Sequence, residues 1–233
     1  MIQYLHDFQA YFSIKSIPSQ YEKELFIYTQ KYIRYIAWIP WIRMIAVVNS
    51  LAMFATDESS DIDLFIITTP WMMWFVRFFT TLIFHILWVR RYGKYVQKRF
   101  CLSFFITENS LNFNSILIED DVYMYYWIYY MKPILNYNDT YEKFLSENNW
   151  VSMPHEMQVQ NWEYCIYNKK QISPPLKIFI LFDVCIRWCI QWRTIQSSRK
   201  LWDPYGIVIQ NDMLKFHTHD IRIKTRNELL FKK

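Results

Sequence analysis

Glycine is almost absent from this chain, which has 2 glycines among its 233 residues where a share of about 7% is usual. This scarcity excludes the glycine-rich phosphate-binding loops of P-loop and dinucleotide-binding proteins. Wherever the backbone must adopt a positive φ, another residue has to serve, and asparagine is the best substitute. The chain also lacks the residue spacing of a Ser/His/Asp catalytic triad.

Cysteine is scarce as well, and none of the four cysteines forms a CxxC pair. Cys101, Cys165, Cys185 and Cys189 therefore read as ordinary buried thiols in a reducing compartment. The N-terminus has no basic start followed by an apolar run, so no secretory signal is indicated. Both absences predict a cytoplasmic protein.

Apolar residues, in contrast, make up 53% of the chain, and aromatic residues make up 20%. The apolar segment 71–91 is long enough to be considered as a membrane span. However, Arg77, Thr81 and His85 fall on one helical face, and a mid-membrane arginine costs about 2.5–3.5 kcal/mol. We therefore expect this segment and the helix at 176–193 to be largely buried in a soluble protein, and a membrane protein is the least favoured alternative.

The order of predicted elements indicates an α+β protein with a helical C-terminal part. The predicted strands are Trp41–Val48, Asp61–Thr68 and Phe100–Thr107. A long helix is predicted between residues 70 and 89, and mostly helix is predicted from Glu119 onward, with a polar, irregular tail from Trp202. The regions are an N-terminal helical segment (1–38), a core (39–135) and a mainly helical C-terminal region (136–233).

Two aspartates, Asp61 and Asp63, stand one residue apart at the start of the second predicted strand. Side chains alternate along a strand, so both project to the same side, about 6–7 Å apart. Two neighbouring carboxylates repel each other unless a cation lies between them. Hard oxygen ligands in this arrangement suit Mg²⁺ or Mn²⁺. The structural alternative is that Asp61 caps the strand and Asp63 pairs with a lysine.

The turn at Asn49 and Ser50 follows the first predicted strand and precedes a short helix. The N-terminus of a helix offers free N–H groups to a phosphate, and the Ser50 hydroxyl adds a further donor. We therefore predict Asn49 and Ser50 as nucleotide-binding residues. A turn that aims phosphates at a metal-bearing strand is the arrangement that nucleotidyl transfer requires.

These motifs resemble the signature of the DNA polymerase β-like nucleotidyltransferase superfamily, in which a Gly-Ser turn precedes an Asp-x-Asp strand. The chain is most similar to a group of uncharacterised bacterial nucleotidyltransferase-domain proteins. The ordered matches are "IPWIRMIAVVNSLAM", "SDIDLFIIT", "FCLSFF", "MKPIL", "TYEKFLSENNWV" and "FHTHD", which span residues 39–220. The resemblance implies a mixed sheet flanked by helices, Mg²⁺ held by Asp61 and Asp63, and a nucleoside triphosphate as donor.

Two departures from the superfamily pattern concern the site itself. Asn49 replaces the glycine of the turn, and its side chain could crowd a phosphate. The third carboxylate that the superfamily often has on a later strand corresponds to Ser103 here. Glu108 or the acidic run at 119–121 would substitute for it only if the fold brought them near.

Two further segments have competing interpretations. The segment 90–99 carries five basic residues interleaved with tyrosines, and it either follows a nucleic-acid backbone or forms a solvated connector. His217, His219 and Asp220 suggest a metal site, although a structural turn is the favoured interpretation.

The sequence thus predicts a metal-dependent nucleotidyltransferase that moves an NMP from an NTP to an unidentified acceptor hydroxyl. Asp61 and Asp63 are its predicted catalytic and metal-binding residues, and nucleic acid is among the candidate acceptors. The alternative is a catalytically inactive module of the same fold that binds a nucleotide or nucleic acid.

Overall fold

The computed structural model describes residues 2–172, 174–175, 177–199, 206–216 and 220–231. It shows an α+β fold in which helices cover both faces of a seven-stranded mixed sheet, so the predicted class is confirmed. The strands are β1 (Ile42–Val48), β2 (Ile62–Thr68), β3 (Phe100–Thr107), β4 (Lys132–Tyr137), β5 (Tyr167–Lys169), β6 (Ile207–Ile209) and β7 (Met213–Phe216). The α-helices are α1 (Leu5–Phe12), α2 (Gln20–Ile33), α3 (Asn49–Ala52), α4 (Met73–Ile86), α5 (Val122–Tyr130), α6 (Thr140–Glu147), α7 (His155–Trp162), α8 (Lys177–Arg199) and α9 (Arg222–Leu230).

The strand order, β5-β4-β1-β2-β3-β7-β6, places the three predicted strands at the centre of the sheet. β1 and β2 are antiparallel, with Val48 opposite Asp63. β2 and β3 are parallel, with Asp63 opposite Cys101. As a consequence, the C-terminal end of β1 and the N-terminal ends of β2 and β3 meet at one end of the sheet, which we call the site end.

The sheet separates two hydrophobic cores, because alternate strand residues point to opposite faces. On one face, residues such as Ile45 and Leu64 pack against α2, α4 and α8. On the other face, Ala46 and Phe65 pack against α1, α5, α6 and α9. Asp63 is two residues before Phe65 in β2, so its side chain projects from the same face, which α5 covers.

The chain beyond Glu119 is less helical than its sequence predicts. The helix in the region after Glu119, α5, ends at Tyr130. β4 then begins at Lys132 and pairs with β1. Pro133 is compatible with this central strand because the register shifts between Ile45 and Ala46, opposite the proline, and such irregularities accommodate a missing N–H. The irregular tail predicted from Trp202 contains β6, β7 and α9 among its described residues. Strands from the predicted core and C-terminal regions share one sheet, and the boundary after residue 135 falls inside β4.

The expectation that the helix at 176–193 is largely buried is wrong. Helix α8 turns the side that carries Asp183 toward the protein. Asp183 is buried and accepts a hydrogen bond of 2.8 Å from the backbone N–H of Phe75 in the first turn of α4. This carboxylate satisfies a helix-start donor that no local cap reaches. Phe182 and Trp188 on other sides of α8 are exposed. Cys185 and Cys189 are exposed too, so the prediction of buried thiols fails for this pair.

No helix in the described parts of the chain is both long enough and apolar enough to cross a membrane.

A buried ion network joins the C-terminal elements to the second core. Arg222, at the start of α9, donates to the Asp121 carboxylate at 3.1 Å and to Asp220 at 2.9 Å. Lys215 of β7 donates to Asp220 at 3.0 Å, and Asp121 caps α5 by accepting from the N–H of Met124. The network therefore fixes α9 and β7 against the first turn of α5.

We expect Arg222→Met to lower the free energy of unfolding by about 3–5 kcal/mol, because it leaves buried carboxylates without their partner. Chemical denaturation followed by circular dichroism measures this change. Lys224→Met is the matched control, since Lys224 is exposed on the same helix. Equal stabilities of the two variants would contradict a structural role for the network.

Candidate functional site

Three potential metal ligands converge at the site end of the sheet: Asp61, Asp63 and Cys101. One ligand atom from each lies within 4.8 Å of the others. Asp61 directly precedes β2 and Asp63 is its second residue, so both side chains leave the strand on the same side. The parallel register then places Cys101 of β3 beside Asp63. The structure therefore brings the two predicted aspartates together and adds a thiol.

Each carboxylate also has a partner within the protein. The Asn49 side-chain amide donates to Asp63 with an Nδ2–Oδ2 distance of 2.8 Å. The Arg91 guanidinium donates to Asp61 with an Nη1–Oδ2 distance of 2.6 Å. The alternative from the sequence is a lysine paired with Asp63, whereas the side chain that donates to Asp63 here is Asn49. The arginine instead supplies positive charge to the acidic pair.

Burial and mutual repulsion disfavour the charged form of Asp63. Removal from water, followed by the charge of Asp61, raises the pKa of Asp63 to about 6, against the opposing effect of the Asn49 hydrogen bond. Burial also raises the pKa of the Cys101 thiol well above its usual value, and the two nearby carboxylates add to this effect. Cys101 is therefore a neutral thiol near pH 7, and its S–H donates to Ser103 Oγ at 3.2 Å.

The turn after β1 has the geometry that the replacement of glycine by asparagine predicts. Asn49 has φ 58°, in the left-handed region, which asparagine tolerates better than most residues. Its side chain bridges two elements, since Oδ1 accepts from the Tyr123 hydroxyl at 3.1 Å while Nδ2 donates to Asp63. The helix that follows, α3, is a single turn. The Asn49 side chain is thus directed onto the acidic pair.

A pocket of about 290 Å³ opens beside this turn. The Asn49-Ser50 turn lines the pocket together with Tyr123 and Trp127 of α5, and Lys215, Asp220 and Arg222 of the buried ion network line it as well. Burial raises the pKa of Tyr123, so its hydroxyl stays protonated and able to donate. The pocket therefore combines aromatic surface with polar groups directly next to Asp63.

The other predicted ligands lie elsewhere. Glu108 is at the opposite end of β3, where it pairs with Arg43 at 3.3 Å. Asp121 belongs to the buried ion network, and Glu119 and Asp120 are exposed. Asp220 also belongs to that network, whereas His217 and His219 lie outside the described residues. Ser103, the expected position of a third ligand, contacts the cluster through Cys101.

The sequence interpretation missed three contributors to the site. Cys101 has the same strand parity as Ser103, so its position two residues earlier was a usable signal. Arg91 lies in a segment interpreted as a nucleic-acid contact or connector, and nothing local assigns it to Asp61. Tyr123 belongs to a uniformly aromatic helix, in which no periodicity marks a single tyrosine.

Comparisons of the chain with known protein families, with curated proteins and with solved structures found no match.

The raised pKa of Asp63 predicts a pH-dependent cost to folding. Between its ordinary value of 3.8 and about 6, the unfolded carboxyl loses its proton first, so stability falls as the pH rises through this window. Above about pH 6 the penalty is fully present, and below about pH 4 it vanishes. We expect Asp63→Asn to increase the free energy of unfolding by about 1–3 kcal/mol near pH 8, and to change it little near pH 4.

Denaturation in EDTA at both pH values measures this difference. Asp139→Asn is the matched control, because Asp139 is an exposed aspartate after β4, at the opposite end of the sheet. Asparagine also tolerates its φ of 56°. A loss of stability in Asp63→Asn that is equal at both pH values would show that the carboxylate carries no repulsive cost.

Proposed function

We propose that this chain is a divalent-metal-dependent nucleotidyltransferase with a DNA polymerase β-like core, which moves an NMP from an NTP to an acceptor hydroxyl. The observation that carries the proposal is the convergence of Asp61 and Asp63 at the same end of the sheet as the Asn49-Ser50 turn. The turn lines the pocket, and its Asn49 side chain joins the turn to Asp63. This pairing is what transfer from a triphosphate requires.

The donor set fits Mg²⁺ or Mn²⁺. The Asp61 and Asp63 carboxylates supply hard oxygen ligands close together, which both ions prefer. Both ions prefer these oxygens to the softer Cys101 sulfur, while Asn49 and Arg91 each hold one carboxylate oxygen. When bound, the ion would neutralise charge on the triphosphate and lower the pKa of the acceptor hydroxyl.

The chain's own side chains account for the rest of the reaction. Ser50, Tyr123 and Trp127 all line the pocket. In this proposal the Ser50 hydroxyl donates to a phosphate oxygen, and the Trp127 and Tyr123 rings provide apolar surface for a base. In the transfer, the acceptor oxygen forms a bond to the α-phosphorus as the bond to the bridging oxygen breaks. Pyrophosphate leaves with the electron pair, and the hydroxyl proton passes to water.

One observation favours a second candidate, a module of the same fold that binds a nucleotide without turning it over. Protein side chains already occupy one oxygen of each carboxylate, and Ser103 takes the position where the superfamily often has an acid. A site with two carboxylates binds a divalent ion more weakly than a site with three. Weak metal binding would leave recognition of the nucleotide intact and remove catalysis.

The proposal is tested by calorimetric titration of NTPs with Mg²⁺ or Mn²⁺, together with labelling of cell extract by α-³²P NTPs. We expect Asp61→Asn and Asp63→Asn to reduce label transfer and pyrophosphate release at least about 100-fold, because both would weaken the metal site. Asp139→Asn should behave as the unmodified protein. The metal-dependent part of NTP binding should disappear in both site variants.

Two outcomes count against catalysis. NTP binding that survives both site substitutions, with no pyrophosphate released by any form, would identify the non-catalytic module. An absence of NTP binding with either metal would overturn both candidates.

A further inference from the structure

A second groove, of about 370 Å³, lies on the surface near the carboxylates. It is lined by His85, Trp88, Arg90, Tyr92, Tyr95 and Arg99, and we call these six residues the aromatic-basic groove. His85 lies in the last turn of α4, and the other five residues belong to the segment between α4 and β3, which includes a hairpin. Tyr92 and Tyr95 exchange backbone hydrogen bonds across the turn at Gly93, whose φ is +53°. The groove is therefore built on a defined hairpin.

Backbone hydrogen bonds tie this hairpin to both neighbours of Asp61. The N–H of Lys98 donates to the carbonyl of Ser60 at 3.2 Å, and the N–H of Ile62 donates to the carbonyl of Arg99 at 2.8 Å. Arg91 in the same hairpin reaches the Asp61 carboxylate itself at 2.6 Å. The hairpin that carries most of the groove is thus anchored next to Asp61.

The rings of the groove are unusually exposed for large aromatic residues. Trp88 is 73% exposed, Tyr92 67% and Tyr95 56%. The His85 ring stacks on Trp88, with the ring centroids 6.1 Å apart. Exposed aromatic faces beside cations are the arrangement on which the bases of single strands stack.

The charge of the groove is positive. Arg90, Arg99 and the neighbouring Lys94 and Lys98 form no ion pair among the described residues, and Arg91 is the one basic residue of the hairpin with a carboxylate partner there. The acidic groups of the neighbouring loop before β2 are Asp57 and Glu58, whose charges act on Tyr21, the ring over which Lys98 lies. Four cations against these two leave a net attraction for phosphate groups.

We infer that the aromatic-basic groove binds single-stranded nucleic acid and, if the proposed transferase activity is correct, presents a terminal hydroxyl of that strand as the acceptor. A duplex keeps its bases stacked on one another and offers no free faces to Trp88 or Tyr92. A single strand offers both its bases and its phosphates. In the transfer, the terminal hydroxyl oxygen bonds to the α-phosphorus of the NTP, pyrophosphate leaves with the electron pair, and the proton passes to water.

Binding is measured by fluorescence anisotropy with labelled oligo(U), oligo(dT) and a duplex, each of about 20 nucleotides. EDTA is present and NTP is omitted, so the metal site plays no part. We expect both single strands to bind more tightly than the duplex. Because each neutralised phosphate contributes about −0.7 to the slope of log K against log[salt], Lys94→Gln/Lys98→Gln should make that slope shallower by about 1.4.

The aromatic contribution is tested by Trp88→Ala, which we expect to weaken strand binding about 10-fold. Trp71→Ala is its matched control, since Trp71 is also an exposed tryptophan with positive φ, at the other end of α4. For the charge variant, the control is Lys143→Gln/Lys170→Gln, which removes two exposed lysines outside the hairpin. Unchanged thermal melting confirms that each variant is folded.

Strand binding that is absent, no tighter than duplex binding, or equally weakened by test and control variants would overturn the inference. A second arm adds Mn²⁺ and α-³²P NTPs to the bound oligonucleotides. Label on the strand supports both proposals. Strand binding without transfer to any acceptor overturns the proposed transferase activity and supports single-stranded nucleic acid as the ligand of the groove. Transfer to another acceptor, with no strand binding, overturns this inference alone.

Discussion

The repulsion between Asp61 and Asp63 is the constraint on which the site depends. The alternation of side chains places both carboxylates on one face, and the pairing of β2 with its neighbours keeps them there. The same pairing places the turn after β1 and the thiol of Cys101 next to them. A cluster with this much unfavourable charge opposes folding, and a cation that the charge attracts would relieve that cost.

The protein offsets the repulsion with its own groups instead of removing it. Arg91 supplies a positive charge to Asp61, and Asn49 supplies a hydrogen bond to Asp63. Arg91 belongs to the hairpin before β3, and Asn49 belongs to the turn after β1. The Asn49 side chain also contacts Tyr123, which lines the neighbouring pocket. The entry of a cation would therefore directly affect Tyr123 in the wall of the pocket.

The local part of this arrangement could be predicted from the sequence, because strand alternation and turn chemistry depend only on neighbouring residues. This holds for the shared face of Asp61 and Asp63 and for the left-handed φ of Asn49. Strand parity gives Cys101 the same face as Ser103, but its place opposite Asp63 depends on the parallel register of β2 and β3, which no local pattern encodes. β4 begins only two residues after the aromatic helix α5 ends. Helix α8 turns its Asp183 side inward because Asp183 caps α4. Both outcomes are decided by tertiary contacts that override local preference.

The most direct test of the account is diffraction from crystals soaked in Mn²⁺, recorded with anomalous scattering. The account predicts a peak at coordination distance, about 2.0–2.3 Å, from one oxygen each of Asp61 and Asp63, with the Arg91 guanidinium displaced from Asp61. It also predicts that Asp63→Asn abolishes the peak. An unaltered Arg91–Asp61 ion pair and no anomalous peak at saturating Mn²⁺ would show that the acidic pair is completed by the protein itself, and the proposed metal chemistry would be wrong.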